Sequence, residues 1–384
     1  MPWKETNAMN EKMKFILAWT TNEYTVVDLC KIFKISRETA YKFIKRYKEE
    51  GANGLSERSR AHHRHPDQTN KQLVDIILKT KNRYPKWGPK KIKAWLEIEH
   101  NDNVWPAAST ISSILQKNGL VITRKKRIKT PAYTEPFSLC DEPNAVWSAD
   151  FKGYFKLGSN DNCYPLTISD NYSRYLICCD CFDRPNLYNV KQSFEYVFKE
   201  YGLPKVIKTD NGSPFASVGV GGLSQLSIWW LKLGIIPERI ALGRPDQNGR
   251  HERMHRTLKE ATSMPPKSNM YAQQIVMDEF RQEYNNDRPH EALGNLRPSS
   301  IYKRSSIEYP KEIPEIEYND GLLIKKVRTN GELRHKGRFY YVSSALSGER
   351  IALRQINDDC IELYFSVIRL GVLDLRQQKV IRLS

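Results

Sequence analysis

Three acidic residues occur where they could come together to bind metal ions. Asp150 lies among the aromatic and small residues of "NAVWSADFKGYF", and Asp210 ends the short run "KVIKTD" just before "NGSP". Glu252 stands early in the segment "RPDQNGRHERMHRTLKEAT". Burying a carboxylate is costly unless positive charge balances it. Carboxylate oxygens, however, are good ligands for hard divalent cations.

Such a site could catalyse phosphoryl transfer. Two cations held ~4 Å apart would activate water and stabilise the leaving oxygen of an in-line displacement. The Asn211-Gly212 turn would let the backbone leave the sheet edge sharply and direct the Asp210 carboxylate toward a cleft. A plain Asp-Asn-Gly turn without chemistry explains the same stretch, and spacing alone leaves both interpretations open.

Alternating strand and helix patterns surround these acids. "NAVWSADFKGYF", "YPLTISDNYSRYLICCDCF" and "KVIKTD" are typical of strands, the second with a turn at Asp170. "NVKQSFEYVFKEYG" is typical of a helix, and so is the segment that contains Glu252. The order predicts a mixed sheet flanked by helices within a multidomain α/β protein.

The helix that contains Glu252 has two distinct faces. Met254, Leu258 and Ala261 are predicted to face inward. Glu252 shares another face with Arg256 and Lys259, both candidates for DNA contact.

Positive charge is concentrated in the flanks of the chain. The 384 residues include 61 Lys+Arg and 44 Asp+Glu, a formal net charge of +17. Residues 1–140 carry +13, residues 141–300 carry 0 and residues 301–384 carry +4. This favours a polyanionic partner, although a merely soluble basic surface is the alternative. No apolar run reaches the ~20 residues of a membrane span, and the start of the chain lacks a signal-peptide pattern.

Residues 1–60 are predicted to form a first helix-turn-helix domain. In "TVVDLCKIFKISRETAYKFIKRYKEEG" apolar residues follow helical spacing on both sides of a short turn; Ser36 can cap the second helix and Gly51 can end it. The outer face of that helix carries the DNA-contact candidates Arg37, Tyr41, Lys42, Lys45 and Arg46. A second helix entering a major groove has this pattern, as does a plain helical hairpin.

Residues 66–122 are predicted to form a second helix-turn-helix domain. Pro89 marks one helix start, Ser109 can cap another helix, and Gly119 can close it. A basic linker follows at 123–140. Its cations suit phosphate contacts along a duplex and are Arg124, Lys125, Lys126, Arg127 and Lys129.

Four motifs in order carry a family resemblance. "VWSADFKGYF", "KTDNGSPF", "RPDQNGRHERMHRTLKE" and "YNNDRPHEALGNLRP" resemble the integrase core of bacterial insertion-sequence transposases, which share the ribonuclease H-like fold of retroviral integrases. This places the core at 141–305. The resemblance implies that Asp150, Asp210 and Glu252 are the catalytic DDE triad. It also implies that the triad holds magnesium, with two ions expected and manganese as the alternative.

The sequence departs from the retroviral pattern in one respect. Between Asp210 and Glu252 lie 41 residues, more than in retroviral integrases. The extra length falls near "SVGVGGLSQLSIWWLKLG", where it need not disturb the triad. Asp246 is the nearest alternative third ligand, but it precedes the helix. Arg253 and His290 could position either DNA or the fold.

Residues 320–384 are predicted to form a small β-barrel. "RFYYV", "RIALRQI", "CIELYF" and "GVLDL" are short strands separated by turns. Basic residues precede or enter them and could contact DNA or another protein: Lys325, Lys326, Arg328, Arg334, Lys336 and Arg338.

The cysteines do not form a metal-binding pattern. In "YLICCDCF" only Cys179 and Cys181 could share a ligand shell, because adjacent strand residues point to opposite faces. Buried thiols are the favoured interpretation, and seven cysteines without a framework spacing suit a reducing cell interior.

These features together predict a DNA transposase of the bacterial cytoplasm. Its front domains would bind the terminal inverted repeats of the mobile element, and its core would cleave the element ends and join the freed 3′-hydroxyls to target DNA. Holding two ends requires at least a dimer on DNA. One alternative is a DNA-binding regulator, in which the three acids would have no function. The other is a metal-dependent nuclease without strand transfer.

Overall fold

The computed structural model describes residues 7–58, 68–121, 139–217, 219–240, 249–319 and 321–382. The chain divides into two compact units, Met1–Thr69 and Asn70–Ser384. Within the described ranges, no helix is long and apolar enough to cross a membrane.

The first unit is a small helical domain. Its helices are α1 (Ala8–Thr20), α2 (Val26–Ile32) and α3 (Arg37–Glu50). Ser36 caps α3 by accepting a hydrogen bond from the Thr39 N–H at 3.1 Å, and Gly51 ends it with a φ of 60°. Both sequence predictions are confirmed. The core of the unit consists of Phe15, Ile16, Leu29, Cys30, Ala40, Ile44 and Leu55.

The second unit begins with three more helices, α4 (Lys71–Arg83), α5 (Pro89–Glu99) and α6 (Ala108–Lys117). Pro89 is the first residue of α5, as predicted. The predicted cap at Ser109 is wrong: α6 begins one residue earlier, after Ala107, without a side-chain cap. Pro106 just before this point cannot lie inside a helix, and the chain turns helical directly after it.

A mixed six-stranded sheet forms the centre of the second unit. Its strands are β1 (Val146–Phe151), β2 (Phe155–Lys156), β3 (Asn162–Asp170), β4 (Leu176–Phe182), β5 (Val206–Thr209) and β6 (Ile236–Arg239). The order is β2-β3-β1-β5-β6, with β4 also paired to β3. β1 is antiparallel to β3 and parallel to β5, which is parallel to β6. The predicted mixed sheet is confirmed.

Helices surround this sheet: α7 (Leu187–Tyr201), α8 (Gln225–Lys232), α9 (Gly249–Thr262), α10 (Met270–Gln282) and the short α11 (Pro298–Ile301). Trp147 and Ala149 of β1 belong to the same buried cluster as Phe194 of α7 and Trp230 of α8. The apolar side chains of β1 therefore face α7 and α8. The side chains that alternate with them point to the opposite side of the sheet, toward α9.

The C-terminal strands form two separate sheets. They are β7 (Leu323–Lys326), β8 (Glu332–His335), β9 (Arg338–Tyr341), β10 (Arg350–Gln355), β11 (Cys360–Phe365), β12 (Ile368–Asp374) and β13 (Lys379–Arg382). Five strands pair in the order β13-β12-β11-β10-β7, and β8 pairs only with β9. The predicted barrel is not confirmed, because these sheets do not close on each other.

The extra length between Asp210 and Glu252 has a packing role. Val220, Leu223 and Ile228 share a buried cluster with the C-terminal strands. Lys232 Nζ also lies 3.1 Å from a carboxylate oxygen of Glu349. The additional chain therefore joins the C-terminal sheet to the core.

Candidate active site on the polar face of the core sheet

Three neighbouring strands present polar side chains to the same face. Asp150 pairs with Thr167 and Ser148 with Ser169 across β1 and β3, while Ser148 pairs with Lys208 across β1 and β5. Residues directly opposite each other in paired strands point to the same side of a sheet. These five side chains therefore line the face turned toward α9.

Asp150 and Asp210 occupy corresponding positions on neighbouring strands. Ala149 is paired in parallel with Thr209, and each acid follows its paired residue directly. Parallel strands lie about 4.8 Å apart, so the two half-buried acids come close at this edge of the sheet.

The turn after β5 holds the Asp210 carboxylate. The Gly212 N–H donates to Asp210 Oδ1 at 3.0 Å, and Asn211 Nδ2 donates to the Ile240 carbonyl at 2.7 Å. A Cβ at position 212 would lie 3.0 Å from Asp210 Oδ2. Glycine thus leaves room for the carboxylate, and the asparagine fixes the turn against the end of β6.

Helix α9 covers the polar face with two histidines. His251 and His255, one turn apart, are only 2% and 6% exposed. Their rings meet edge to face with centroids 4.5 Å apart. Met254 and Leu258 on the same helix pack into a neighbouring apolar cluster, which fixes the orientation of α9. The prediction that Ala261 also faces inward is wrong, because it lies beyond this cluster and is exposed.

A chain of polar contacts leads from β3 to Asp150. Thr167 Oγ1 lies 2.7 Å from Nε2 of both histidines, Ser169 Oγ lies 3.3 Å from His251 Nδ1, and His255 Nδ1 lies 4.0 Å from Asp150 Oδ2. Because a hydroxyl has one proton, at least one imidazole must donate to Thr167.

Thr167 Oγ1 also donates to the Asp150 backbone carbonyl at 3.2 Å. Because its single proton is used there, both imidazoles donate to Thr167 through Nε2–H. Ser169 can then donate to His251 Nδ1. The tautomers follow from this network.

Both histidines are neutral at neutral pH. Burial, and secondarily Lys208, lowers the pKa of His251 to about 3. Burial, followed by His251 and Lys152, lowers the pKa of His255 to about 2. The imidazoles therefore place no positive charge beside Asp150.

Glu252 is placed differently from the two aspartates. It lies in the first turn of α9 next to buried His251, but its own side chain is exposed. No contact among the described residues joins it to Asp150 or Asp210, so the structure brings two of the three predicted acids together. Asp246 lies outside the described residues.

Asp150 has nitrogen donors as well as oxygen donors nearby. Ligand atoms of Asp150, His251 and His255 lie within 4.8 Å of one another. Such a set would suit a transition metal, but the Thr167 hydroxyl already contacts both Nε2 atoms. Oxygen donors of Asp150 and Asp210 suit magnesium better.

Sequence reasoning missed the histidine pair. The available signal was the spacing in "HERMH", which puts His251 and His255 on the same helical face as Met254. The alternation in "PLTIS" likewise indicated that Thr167 and Ser169 share a face of β3.

The predicted DNA-contact residues differ in placement. On α3, Arg37, Tyr41, Lys42 and Lys45 are exposed and Arg46 is half-buried. On α9, Arg256 and Lys259 are exposed. Five others lie outside the described residues: Arg124, Lys125, Lys126, Arg127 and Lys129.

Asp170 and the central cysteines have structural roles. The Asp170 carboxylate accepts the N–H groups of Asn144 and Ser173 at 2.8 and 2.7 Å, and the residue is buried. Cys178 and Cys179 are buried free thiols, as predicted.

Family models match almost every part of the chain. The helix-turn-helix domain matches residues 11–62 and the homeodomain-like domain residues 39–115. The integrase core domain matches residues 141–245 and, in a second model, 233–298. The C-terminal domain of IS481 family transposases matches residues 323–381.

A bacterial relative extends across most of these regions. An uncharacterized 31.7 kDa protein of insertion element IS407 from Burkholderia multivorans is 25% identical over 258 residues, which are 65% of this chain and 88% of that protein. These matches support an insertion-sequence transposase with an integrase core. The chain is also 35% identical over 121 residues to the Gag-Pol polyprotein of gibbon ape leukemia virus. That match covers 31% of this chain and only 7% of the polyprotein.

Solved retroviral integrases show weaker overall likenesses. The simian T-cell lymphotropic virus intasome chain is 15% identical, with a TM-score of 0.38. The match covers 76% of this chain and 97% of the viral chain. The HTLV-2 integrase catalytic core, solved in complex with magnesium, is 15% identical with a TM-score of 0.34; the match covers 42% and 99%. Because both TM-scores are below 0.5, we base no residue role on either likeness.

Proposed function

We propose that this protein binds the terminal inverted repeats of an insertion sequence, cleaves the element ends and joins the 3′-hydroxyls to target DNA. The observation that carries the proposal is the register of Asp150 and Asp210, which follow the paired residues Ala149 and Thr209 on one face of an integrase core.

Asp150, Asp210 and Glu252 are the proposed magnesium ligands. Two ions bound there would activate the attacking hydroxyl and stabilise the leaving oxygen of the phosphodiester. The oxygen-only donor set and the space left by Gly212 beside Asp210 support this ion. The exposed side chain of Glu252 can approach the two aspartates from the start of α9.

The surrounding residues would prepare these ligands for binding. Neutral His255 lies beside Asp150 without cancelling its charge, and both histidines are buried on that side. The Asn211-Gly212 turn holds the Asp210 carboxylate at the edge of the sheet. The site would thus be organised before DNA arrives.

DNA would be held by the helical domains and by cations around the core. We propose domains at 1–60 and 66–122 for the element ends, a basic linker at 123–140, a catalytic core at 141–305 and an accessory domain at 320–384. The exposed face of α3 would enter a major groove. Arg256 and Lys259 on α9 lie on the same helix as Glu252 and would contact phosphates near the reacting bond.

We further propose that at least two copies act together in the bacterial cytoplasm, because two element ends must be joined in one reaction. Sedimentation of a reactive end complex is expected to give a protein mass of two or more chains. A competent complex with one chain would contradict this.

The experiment that tests the function is a cleavage and joining assay on the duplex of the element end with Mg²⁺. Wild-type protein is expected to produce nicked and joined DNA, and Asp210→Asn to bind the same duplex without producing either. Specific binding without any metal-dependent nicking by the wild type would indicate a regulator. Nicking without joined products would indicate a nuclease.

A further inference from the structure

A second group of charged side chains lies where α9, the turn between β3 and β4 and the segment after α10 meet. Met254 of α9, Leu176 of β4 and Tyr284 share one buried cluster. Asn285 joins the last two elements, because its side chain accepts from the Leu176 N–H at 2.8 Å and donates to the Leu176 carbonyl at 2.9 Å.

Three arginines surround this cluster. Arg174 lies two residues before Leu176, Arg253 is next to Met254, and Arg288 lies one helical turn beyond Tyr284. The Arg288 guanidinium carbon is 6.0 Å from the centre of the Tyr284 ring. All three arginines act to lower the pKa of the Tyr284 phenol, although burial raises it to about 12 overall.

A lysine from the second helical domain completes the group. Lys91 Nζ of α5 donates to the Pro289 carbonyl at 2.6 Å, directly after Arg288. His290 follows, and its ring packs edge to face on Tyr284 at 4.7 Å. Four cations from four separate elements therefore gather around Tyr284.

The acidic residues of the neighbouring segment are engaged elsewhere. Asp287 accepts from the Tyr84 hydroxyl at 3.0 Å and lies 3.9 Å from Arg83. Glu291 lies 3.5 Å from Lys90. No ion pair between described residues includes any of the four cations; the acids of this segment pair with Arg83 and Lys90 instead. Glu283 and Glu260 attract Arg288 only from farther away.

These positive charges are partly buried and only weakly compensated. Arg174, Arg288 and Lys91 are half-buried, whereas Arg253 is exposed. Burial, followed by Arg288, lowers the pKa of Lys91 to about 8, and burial followed by Arg250 lowers the pKa of Arg174, although nearby carboxylates oppose both shifts. Burying charge without full compensation costs stability. Groups whose pKa is perturbed by burial and by neighbouring charges are common at functional sites.

We propose that Lys91, Arg174, Arg253 and Arg288 form a phosphate cradle that holds the backbone of duplex DNA between α5 and the catalytic core. One guanidinium group can donate two parallel hydrogen bonds to phosphate oxygens, and a lysine adds a compact positive charge. Since Lys91 belongs to the second helical domain, DNA in the cradle would contact both this domain and the core. The inference rests on the proposed function and adds a site distinct from the three acids.

The test measures how the affinity of the full chain for a mixed-sequence DNA duplex depends on salt. Arg253→Gln and Arg288→Gln should each weaken binding about tenfold near physiological salt and make the plot of log affinity against log salt shallower by about one. Lys199→Gln and Arg184→Gln, at exposed positions outside the cradle and outside the helical domains, are the matched controls and should keep the wild-type slope.

Thermal unfolding of the same variants separates binding from packing. A cradle residue is expected to leave the melting temperature unchanged or raise it, because its removal relieves repulsion. Wild-type slopes for both Arg253→Gln and Arg288→Gln would overturn the cradle, and so would a lower melting temperature of Arg288→Gln with unchanged DNA binding. If the two variants have shallower slopes but the wild-type protein never cleaves DNA, the cradle is supported and the proposed transposition chemistry is contradicted.

Discussion

The two faces of the core sheet are built from the same strands but have opposite chemistry. On one face Trp147 and Ala149 pack with Phe194 and other apolar side chains of α7 and α8. On the other face Asp150 lies beside neutral histidines of α9. Alternation along a strand separates the two sets completely, since successive side chains point to opposite sides.

This difference shows how one short strand serves stability and chemistry at once. The apolar face removes large side chains from water, which favours folding by about 25 cal/mol for each Å² buried. The polar face buries groups at a cost that hydrogen bonds only partly offset. Substitutions on the two faces should therefore have opposite effects on stability and on cleavage, and four substitutions test this difference.

Asp150→Asn on the polar face should have the largest effect. Cleavage of element-end DNA is expected to fall by roughly a thousandfold or more, because a neutral amide is a poor magnesium ligand. The free energy of unfolding should change little, or rise. Urea unfolding and a gel cleavage assay on the same preparation check both parts. Retained cleavage with Mg²⁺ would remove Asp150 from the active site.

Phe194→Ala on the apolar face should lower the stability of the protein and leave its cleavage activity unchanged. Its side chain is fully buried, so truncation is expected to cost about 3–5 kcal/mol of unfolding free energy. Cleavage for each folded molecule should stay near the wild-type value at low temperature. Phe194→Leu is the matched control and should lose much less stability. A cleavage defect larger than the loss of folded protein would show that the faces are not separable.

Lowering the pH should destabilise the protein because the two histidines buried on the polar face are neutral when the protein is folded. The pKa of each buried histidine is lowered in the folded state, to about 3 for His251 and about 2 for His255. The unfolded chain therefore binds more protons below its ordinary histidine pKa of about 6.5. Stability contributed by the neutral imidazoles is full above that pH and is lost as pH falls. The loss approaches about 1.4 kcal/mol per pH unit for each histidine.

Denaturant midpoints between pH 7 and pH 5 measure this slope. His255→Gln is expected to reduce it by up to about half of the histidine contribution, since one titrating group remains. An identical slope in wild type and His255→Gln would mean that this imidazole is not buried neutral.

Thr167→Val should give the smallest of the four effects. The substitution keeps the volume but removes the hydroxyl that contacts both imidazoles, which should cost about 1–3 kcal/mol. Thr167→Ser keeps the hydroxyl and should cost less. Equal stability of the valine and serine variants would argue against the hydrogen-bond chain from Ser169 to Asp150.

Local patterns predicted much of this architecture. Ser36 and Gly51 mark the ends of α3 through side-chain and backbone preferences that need no tertiary contact. The strands holding Asp150 and Asp210 were likewise evident from alternation and turn residues. The placement of Ser109 inside α6 was missed because the actual cap, Ala107, lies two residues earlier and uses no side chain.

Features that depend on distant contacts were not predictable in the same way. The pairing of His251 and His255 with Thr167 requires α9 to lie across β3, which no local pattern encodes. The chain around Val220 was recognised as extra length, but its packing against the C-terminal strands depends on residues more than a hundred positions away. Whether short strands close into a barrel also depends on pairing between sequence-distant edges.

The most direct test of the central claim is a crystal structure of the protein with element-end DNA and Mn²⁺, in which anomalous scattering locates the ions. We expect manganese bound by carboxylate oxygens of Asp150 and Asp210, with Glu252 turned in from α9 to complete the site. Manganese held by Asp150 with His251 and His255 and away from Asp210, or no ion at Asp150, would contradict it.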